Sequence, residues 1–278
     1  MILKRIFTII SILWSFSLSA QSVSSNEARG GNTNTPAQPF LFLANTINPG
    51  QPKKAINYSG SMGQRAEGPF GYDGFNQQGS LSAYLGHRFT FIGSVALGFS
   101  NHGGTQTAQQ AELIKNFIGG KKAHGAAIGL GLGFSRDWDN VKSALSRITM
   151  AYNNPSLRLS GNMLFEKAFS TSRDKLDFTS SLGFQHHIKG NVFAGVEMIG
   201  EDLEGFWEED EAEGGAKMLI GPSINFSPSK SRFSFSACGG PVFFATKSTA
   251  FSSGALREIG RSSQNGYSVR AGLGFNLR

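Results

Sequence analysis

Cysteine is all but missing from this 278-residue chain. The single copy excludes an intrachain disulfide framework and a four-cysteine zinc site. Charge is scarce as well. Asp, Glu, Lys and Arg make up 16% of residues, against about 25% in an ordinary soluble domain. Proline is low at 9. Beyond the N-terminus no apolar run approaches the ~20 residues that a membrane helix needs, and the mean hydropathy is only −0.18, so a helical membrane bundle is excluded. What the chain has in abundance is Gly, at 36, and Phe, at 24. Its length suffices for one buried core or one closed barrel and is too short for a multi-domain machine.

The N-terminus reads MILKRIFTIISILWSFSLSA. Lys4 and Arg5 precede an apolar stretch over residues 6–16, and small residues follow up to Ala20. This is the pattern of a secretory signal peptide over residues 1–20, too short in its apolar part to span a bilayer. No Cys follows the expected cut, which argues against a lipid anchor. Residues 21–54 are rich in Ser, Asn, Gln, Pro and Gly and read as a flexible arm. Within it PFLFLAN, residues 39–45, is the apolar exception, expected to form a short strand or a docking segment.

From residue 55 onward the pattern has period two. In residues 89–100, Phe89, Phe91, Val95, Leu97 and Phe99 share a face, while Thr90, Ser94, Ala96, Gly98 and Ser100 share the other. Tyr267, Val269, Ala271, Leu273, Phe275 and Leu277 alternate in the same way, as do Ala126, Ile128, Leu130, Leu132 and Phe134. This is the signature of strands with one apolar and one small or polar face. Segments 55–63, 79–87, 143–152, 156–167, 176–187, 191–202, 215–226 and 231–244 follow it less strictly. Turn-forming residues separate them, including Gly86-His87, residues 136–140, Asn153-Asn154-Pro155, residues 189–191 and residues 227–229. That makes eleven strands, and an outer-membrane barrel normally has an even number. The expectation is therefore twelve, with ten as the alternative and residues 40–45 or part of 246–259 as the missing strand. Residues 106–118 (QTAQQAELIKNFI) break the pattern. Ala111, Ile114 and Ile118 have helical spacing, and Gly119-Gly120 and Lys121-Lys122 suit a helix end, so a short helix in a loop is expected.

A soluble sandwich also alternates, but its polar face is usually charged. Here the non-apolar face is mostly Gly, Ser, Ala and Asn, as in a barrel that turns apolar residues to lipid and small ones to a confined lumen. A sheet that spans lipid must also close, because unpaired edges there find no water. Strands of about ten residues match a tilted span. The fold class read from these features is all-β, an antiparallel transmembrane β-barrel occupying residues 55–278. On the export signal, the alternation and the closing strand at 267–278, the chain resembles small, porin-like bacterial outer-membrane β-barrel proteins. Residues 200–217 also resemble a loop of such barrels. The resemblance implies the outer membrane of a Gram-negative bacterium. It also implies lipid, lipopolysaccharide and the barrel assembly machinery as partners. That family usually ends on an aromatic residue, whereas here Phe275 lies three residues before the terminal Arg278.

Two groups of residues are candidates for chemistry. Continuing the alternation places Arg147, Arg158, Glu166, Glu197, Glu201, Lys217 and Arg270 on the small-residue face. There they are expected to line the lumen, either paired into a plug or along a polar channel. A charge turned to the lipid midplane costs ~2–4 kcal/mol, which favours the inward direction. The second group is an acidic run. Asp202, Glu204, Glu208, Glu209, Asp210, Glu211 and Glu213 follow Glu201 closely and form a candidate loop for Ca²⁺ or Mg²⁺, both oxygen-seeking cations, though without EF-hand spacing. The plain alternative is a solvated charged loop. Phe206 and Trp207 inside the run suit an interface anchor.

No other cofactor is indicated. The string Gly129-Leu-Gly-Leu-Gly133 is not G-x-G-x-x-G and sits in a strand, no G-x-S-x-G elbow stands out, and no catalytic residues are assigned. The adjacent His186 and His187 face opposite sides of a strand and chelate poorly. Basic residues are scattered rather than clustered with aromatics, so nucleic-acid binding is rejected despite a sequence pI of 9.6. The functional expectation is a barrel that passes, or helps pass, small polar solutes. The alternative is a non-conducting structural or surface-binding barrel, and an enzyme on a barrel scaffold is a third class.

Overall fold

The structure, a computed structural model, describes residues 38–47, 53–101, 103–120, 124–170, 176–203, 216–228, 231–245 and 265–277. Twelve antiparallel strands run in chain order as β1 (Lys54–Gln64), β2 (Gly74–Gly86), β3 (Phe89–Ser100), β4 (Thr105–Gly119), β5 (Gly125–Arg136) and β6 (Lys142–Asn153), followed by β7 (Leu157–Ala168), β8 (Asp177–Lys189), β9 (Val192–Glu201), β10 (Ala216–Phe226), β11 (Phe233–Ala245) and β12 (Gly266–Leu277). Each strand pairs with its neighbours in sequence, and β1 pairs with β12 from Lys54↔Leu277 to Gln64↔Tyr267, closing the barrel. Closure leaves no edge of unpaired amides, the condition for a sheet in hydrocarbon.

The helix expected at residues 106–118 is a strand. β4 pairs with β3 over Thr105–Lys115 and with β5 over Gln109–Gly119, and this segment supplies the twelfth strand. Residues 40–45 form no strand, and residues 246–259 lie outside the described residues. The helical spacing was a coincidence of two effects. Ile114 is apolar but fully buried on the inner face, and a bulge between Asn116 and Ile118 shifts the alternation, so that Phe117 and Ile118 are both exposed. Thirteen residues also make a marginal helix in isolation, whereas two neighbouring strands flank residues 109–115 and take up their backbone groups.

With β4 in place, the connections sort by length. The strand ends joined by short connections (87–88, 120–124, 154–156, 190–191 and 227–232) share one rim, and those joined by most of the longer ones, including 65–73, 202–215 and 246–265, share the other. All three register shifts, at Tyr84/Gly86, Asn116/Ile118 and His187/Lys189, border the short-turn rim. The two-residue turn His87-Arg88 has positive φ at both positions (50° and 68°), as a tight hairpin requires. It is held without Gly or Asn there by Arg88 N–H donating to Tyr84 Oη and the Arg88 guanidinium donating to Phe117 O.

Alternation separates two surfaces. Leu81, Val95, Leu113, Leu130, Leu132, Phe134, Leu182, Phe184 and Leu273 stand outward and largely exposed, a belt far larger than water tolerates on a monomer. The inward face carries Ala55, Ser61, Asn76, Ser82, Thr90, Thr149, Ser160, Ser181 and Ser236. An arginine on the outer belt at mid-strand would meet hydrocarbon. Leu130→Arg is therefore expected to lower stability by ~2–4 kcal/mol in urea unfolding from lipid vesicles, and a loss under about 1 kcal/mol would mean that this face does not meet lipid.

Candidate functional site: an occupied lumen

The barrel is not empty. Part of the segment expected to be a flexible arm, residues 38–47, lies inside it without regular secondary structure. Phe40, Leu41, Phe42, Leu43 and Ile47 are buried, and the first four belong to a cluster with Ala66, Phe70, Ile199, Leu219, Cys238 and Val242. The segment forms a U whose two arms rest near the short-turn rim. At one arm Ile47 N–H donates to Thr90 Oγ1 (3.0 Å) and Asn116 Nδ2 to Thr46 Oγ1 (3.1 Å). At the other, Gln185 Nε2 donates to Pro39 O (3.2 Å) and Ser236 Oγ to Gln38 O (3.4 Å).

The apex of the U is pinned at mid-barrel by a carboxylate. Glu197, fully buried on β9, accepts the backbone N–H of Leu41 and of Phe42 on one oxygen, at 2.8 and 2.9 Å. Its other oxygen accepts Ser223 Oγ–H at 2.6 Å. Arg270 on β12 donates to Leu41 O (2.9 Å), lies over the Phe42 ring at 4.3 Å and is electrostatically coupled to Glu197. Hydrogen bonds to an ionised acceptor are about twice as strong as neutral ones, so this cluster is the segment's chief anchor. A second clamp is the Asn162 amide, which accepts Ala44 N–H (2.7 Å) and donates to Ala44 O (3.2 Å).

Glycines on the inner wall make the room. A Cβ on Gly183 would stand 2.6 Å from a Phe40 ring carbon, and one on Gly272 would stand 3.0 Å from Leu41 Cδ2. From the long-connection rim the 3₁₀ turn Gly68–Phe70 brings in fully buried Phe70, whose carbonyl accepts Ser268 Oγ–H at 2.7 Å. Tyr72 packs beside it against Trp138, with ring centroids 4.8 Å apart, and donates to Gln106.

The lumen residues expected from alternation divide into groups. Arg147 is buried and forks onto Glu112, with Nε at 2.7 Å from Oε2 and Nη2 at 2.6 Å from Oε1, and it reaches Asn162 Oδ1 at 3.4 Å. Arg158 is buried near the short-turn rim, donates to Asn225 Oδ1 (2.9 Å) and covers the Phe193 ring at 3.6 Å. Glu197 and Arg270 meet at the segment. Glu166, Glu201 and Lys217 are partly exposed at the opposite rim, where Lys217 lies 3.8 Å from Glu67. The alternation reading missed Glu112, because a helix over 106–118 hid its inward position. It also missed the backbone groups of residues 38–47, which no side-chain pattern marks. Of the acidic run, Asp202 is described and its N–H donates to Phe178 O. Glu204, Glu208, Glu209, Asp210, Glu211 and Glu213 lie outside the described residues, as do the expected signal peptide and Arg278.

The charged side is not the whole lumen. Around β1 to β4 the inward Asn57, Ser59, Gln78, Ser80, Ser94 and Gln110 remain partly exposed, and none is charged. A small cavity of about 30 Å³ lies beside them, between residues 38 and 41 and the wall formed by β1, β2, β11 and β12.

The barrel has the fold of the small porins. It is similar to the KdgM porin, with a TM-score of 0.51 and 10% identity over 81% of this chain and 99% of that one. It is also similar to the NanC porin, with a TM-score of 0.53 and 8% identity over 80% of this chain and 100% of that one. No protein-family model matches the chain, and no curated protein is similar to it in sequence.

The Arg147–Glu112 fork supplies a direct check. Removing one member of a buried pair strands the other, so Arg147→Ala is expected to cost ~3–5 kcal/mol of unfolding free energy. Glu112→Leu with Arg147→Met removes both charges and is expected to cost far less, as read by the urea midpoint. A double variant no better than the single would show that the pair is not an isolated unit.

Proposed function

We propose that this chain is an exported, non-enzymatic outer-membrane barrel of a Gram-negative bacterium that passes small polar solutes along one side of a lumen narrowed by its own residues 38–47. The observation that carries the proposal is the asymmetry of the interior. The buried charges of β6 to β12 are each engaged: Arg147 with Glu112 of β4, Arg158 with Asn225, and Glu197 and Arg270 with the inserted segment. The neutral amides and hydroxyls of β1 to β4 are left accessible to water. A row of side chains that can both donate and accept hydrogen bonds replaces part of a solute's hydration without holding it fast, which is the condition for conduction. The similarity of the fold to small porins supports the reading.

A second reading has its own support. Phe40 and Phe70 are both fully buried and approach the interior from opposite rims, as in a barrel closed at rest and serving a structural or surface-binding role. Planar-bilayer recording of heat-modifiable protein separates the two. The solute-passing reading expects small unit currents from the full chain, a severalfold increase on deleting residues 38–47, and a decrease for Ser94→Trp, which fills the neutral side. Silence from both the full chain and the deletion would overturn it in favour of a non-conducting barrel.

A further inference from the structure

The contacts to residues 38–47 share one property: most address the segment's main chain. Glu197 takes two consecutive N–H groups, Arg270 takes the intervening Leu41 carbonyl, Asn162 takes both backbone groups of Ala44, and Gln185, Ser236 and Thr90 take the Pro39 carbonyl, the Gln38 carbonyl and the Ile47 N–H. These six side chains come from β3, β7, β8, β9, β11 and β12, so the site is built by the assembled barrel and by no single hairpin. The side chains of Phe40 and Leu41 are received differently, by bare backbone at Gly183 and Gly272. Main-chain hydrogen bonds that give affinity, with recesses for selected side chains that give specificity, are a recurring way for folded proteins to bind peptides.

We propose that the lumen contains a peptide-binding site and that residues 38–47 are its tethered ligand, an apolar, bent peptide held by exchangeable contacts rather than a permanent part of the wall. The segment has no regular structure of its own. It joins the barrel wall covalently only through residues 48–52, so its affinity is set by these six side chains together with the high effective concentration that a short tether gives. The same recognition elements accept an equivalent peptide added from outside once the tethered one has left. In the full chain the segment then acts as an autoinhibitor of that site. The inference rests on the geometry of binding, and its test reads binding alone, so it stands or falls separately from solute passage.

The test uses full-length protein with a protease recognition sequence inserted after Pro52 and cleaved in detergent. The expected result is that the N-terminal fragment co-elutes with the barrel after cleavage. An excess of a synthetic peptide of residues 38–47 should displace it. The same peptide N-methylated at Leu41 and Phe42, which cannot donate to Glu197, should compete at least about tenfold less well, a difference of about 1.4 kcal/mol. Loss of the fragment on cleavage with no rebinding of peptide, or equal competition by the methylated peptide, would overturn the proposal. If the inserted sequence resists cleavage, hydrogen exchange on the intact chain decides. Glu197→Gln should speed exchange at the Leu41 and Phe42 amides, and Asn162→Ala at the Ala44 amide, by about tenfold with strand amides unchanged. Unchanged exchange at all three amides would refute it.

Discussion

A carboxylate cut off from water must be surrounded by donors or it will not stay charged at reasonable cost. Glu197 meets that requirement with three hydrogen bonds, and two of them come from the backbone of residues 41 and 42. The rest of the interior follows from this. The amides of an irregular segment need acceptors as much as the carboxylate needs donors, because a backbone group left unpaired inside a barrel costs as much as a lost hydrogen bond. Segment and strand thus solve each other's problem. Arg270 completes the exchange by binding the Leu41 carbonyl that lies between the two amides, and its guanidinium offsets the charge that Glu197 brings.

From that anchor the composition of the wall becomes intelligible. A side chain at two wall positions would take the space that Phe40 and Leu41 occupy. Gly183 and Gly272 remove wall side chains where Phe40 and Leu41 arrive, and at Gly98 a Cβ would stand 2.8 Å from the Tyr72 ring carbons. The glycine richness therefore has two sources. A few positions serve turns, such as Gly190 with φ 58°, but the inner-face positions serve packing. Serine does related work. Ser223 links Gln185 to Glu197, and Ser236 links Asn225 to the Gln38 carbonyl, so polar chains reach from the wall to the segment through the smallest available hydroxyl.

Much of the architecture was legible because a lipid-facing sheet writes its exterior directly into the chain. Leu130, Leu132 and Phe134 are spaced by two because each must meet hydrocarbon, and the small residues between them must face inward. The same rule placed Arg147, Arg158, Glu197 and Arg270 inside. It failed at β4, where Ile114 faces inward to pack against Gly131 and the bulge after Asn116 resets the phase. A strand whose inner face is partly apolar, and whose alternation slips by one, carries the periodicity of a helix over a dozen residues. The alternation points for a twelfth strand to residues 40–45 or part of 246–259, but the apolar character of residues 40–43 has another cause: they are packed against the interior of the finished barrel. A docking role fitted those residues, but their partners did not show in the chain, because the groups recognised there are peptide N–H and C=O, identical at every position.

The division of the lumen follows from the same constraint. Inward charges occur on strands that also contact residues 38–47 or a charged neighbour, so each finds a partner: Arg147 with Glu112, Arg270 with Leu41 and Glu197, Arg158 with Asn225 and Phe193. On β1 to β3 the segment does not cover the wall in the same way, and inward positions there hold Asn57, Ser59, Gln78, Ser80 and Ser94. A charge placed on that side would lack the charged and backbone partners that Arg147, Glu197 and Arg270 find. Neutral amides and hydroxyls interact more weakly and in either sense, as donor or acceptor. The segment thus does more than occupy volume. Its backbone takes up the charges of Glu197 and Arg270, while the wall formed by β1 to β3 turns neutral groups inward.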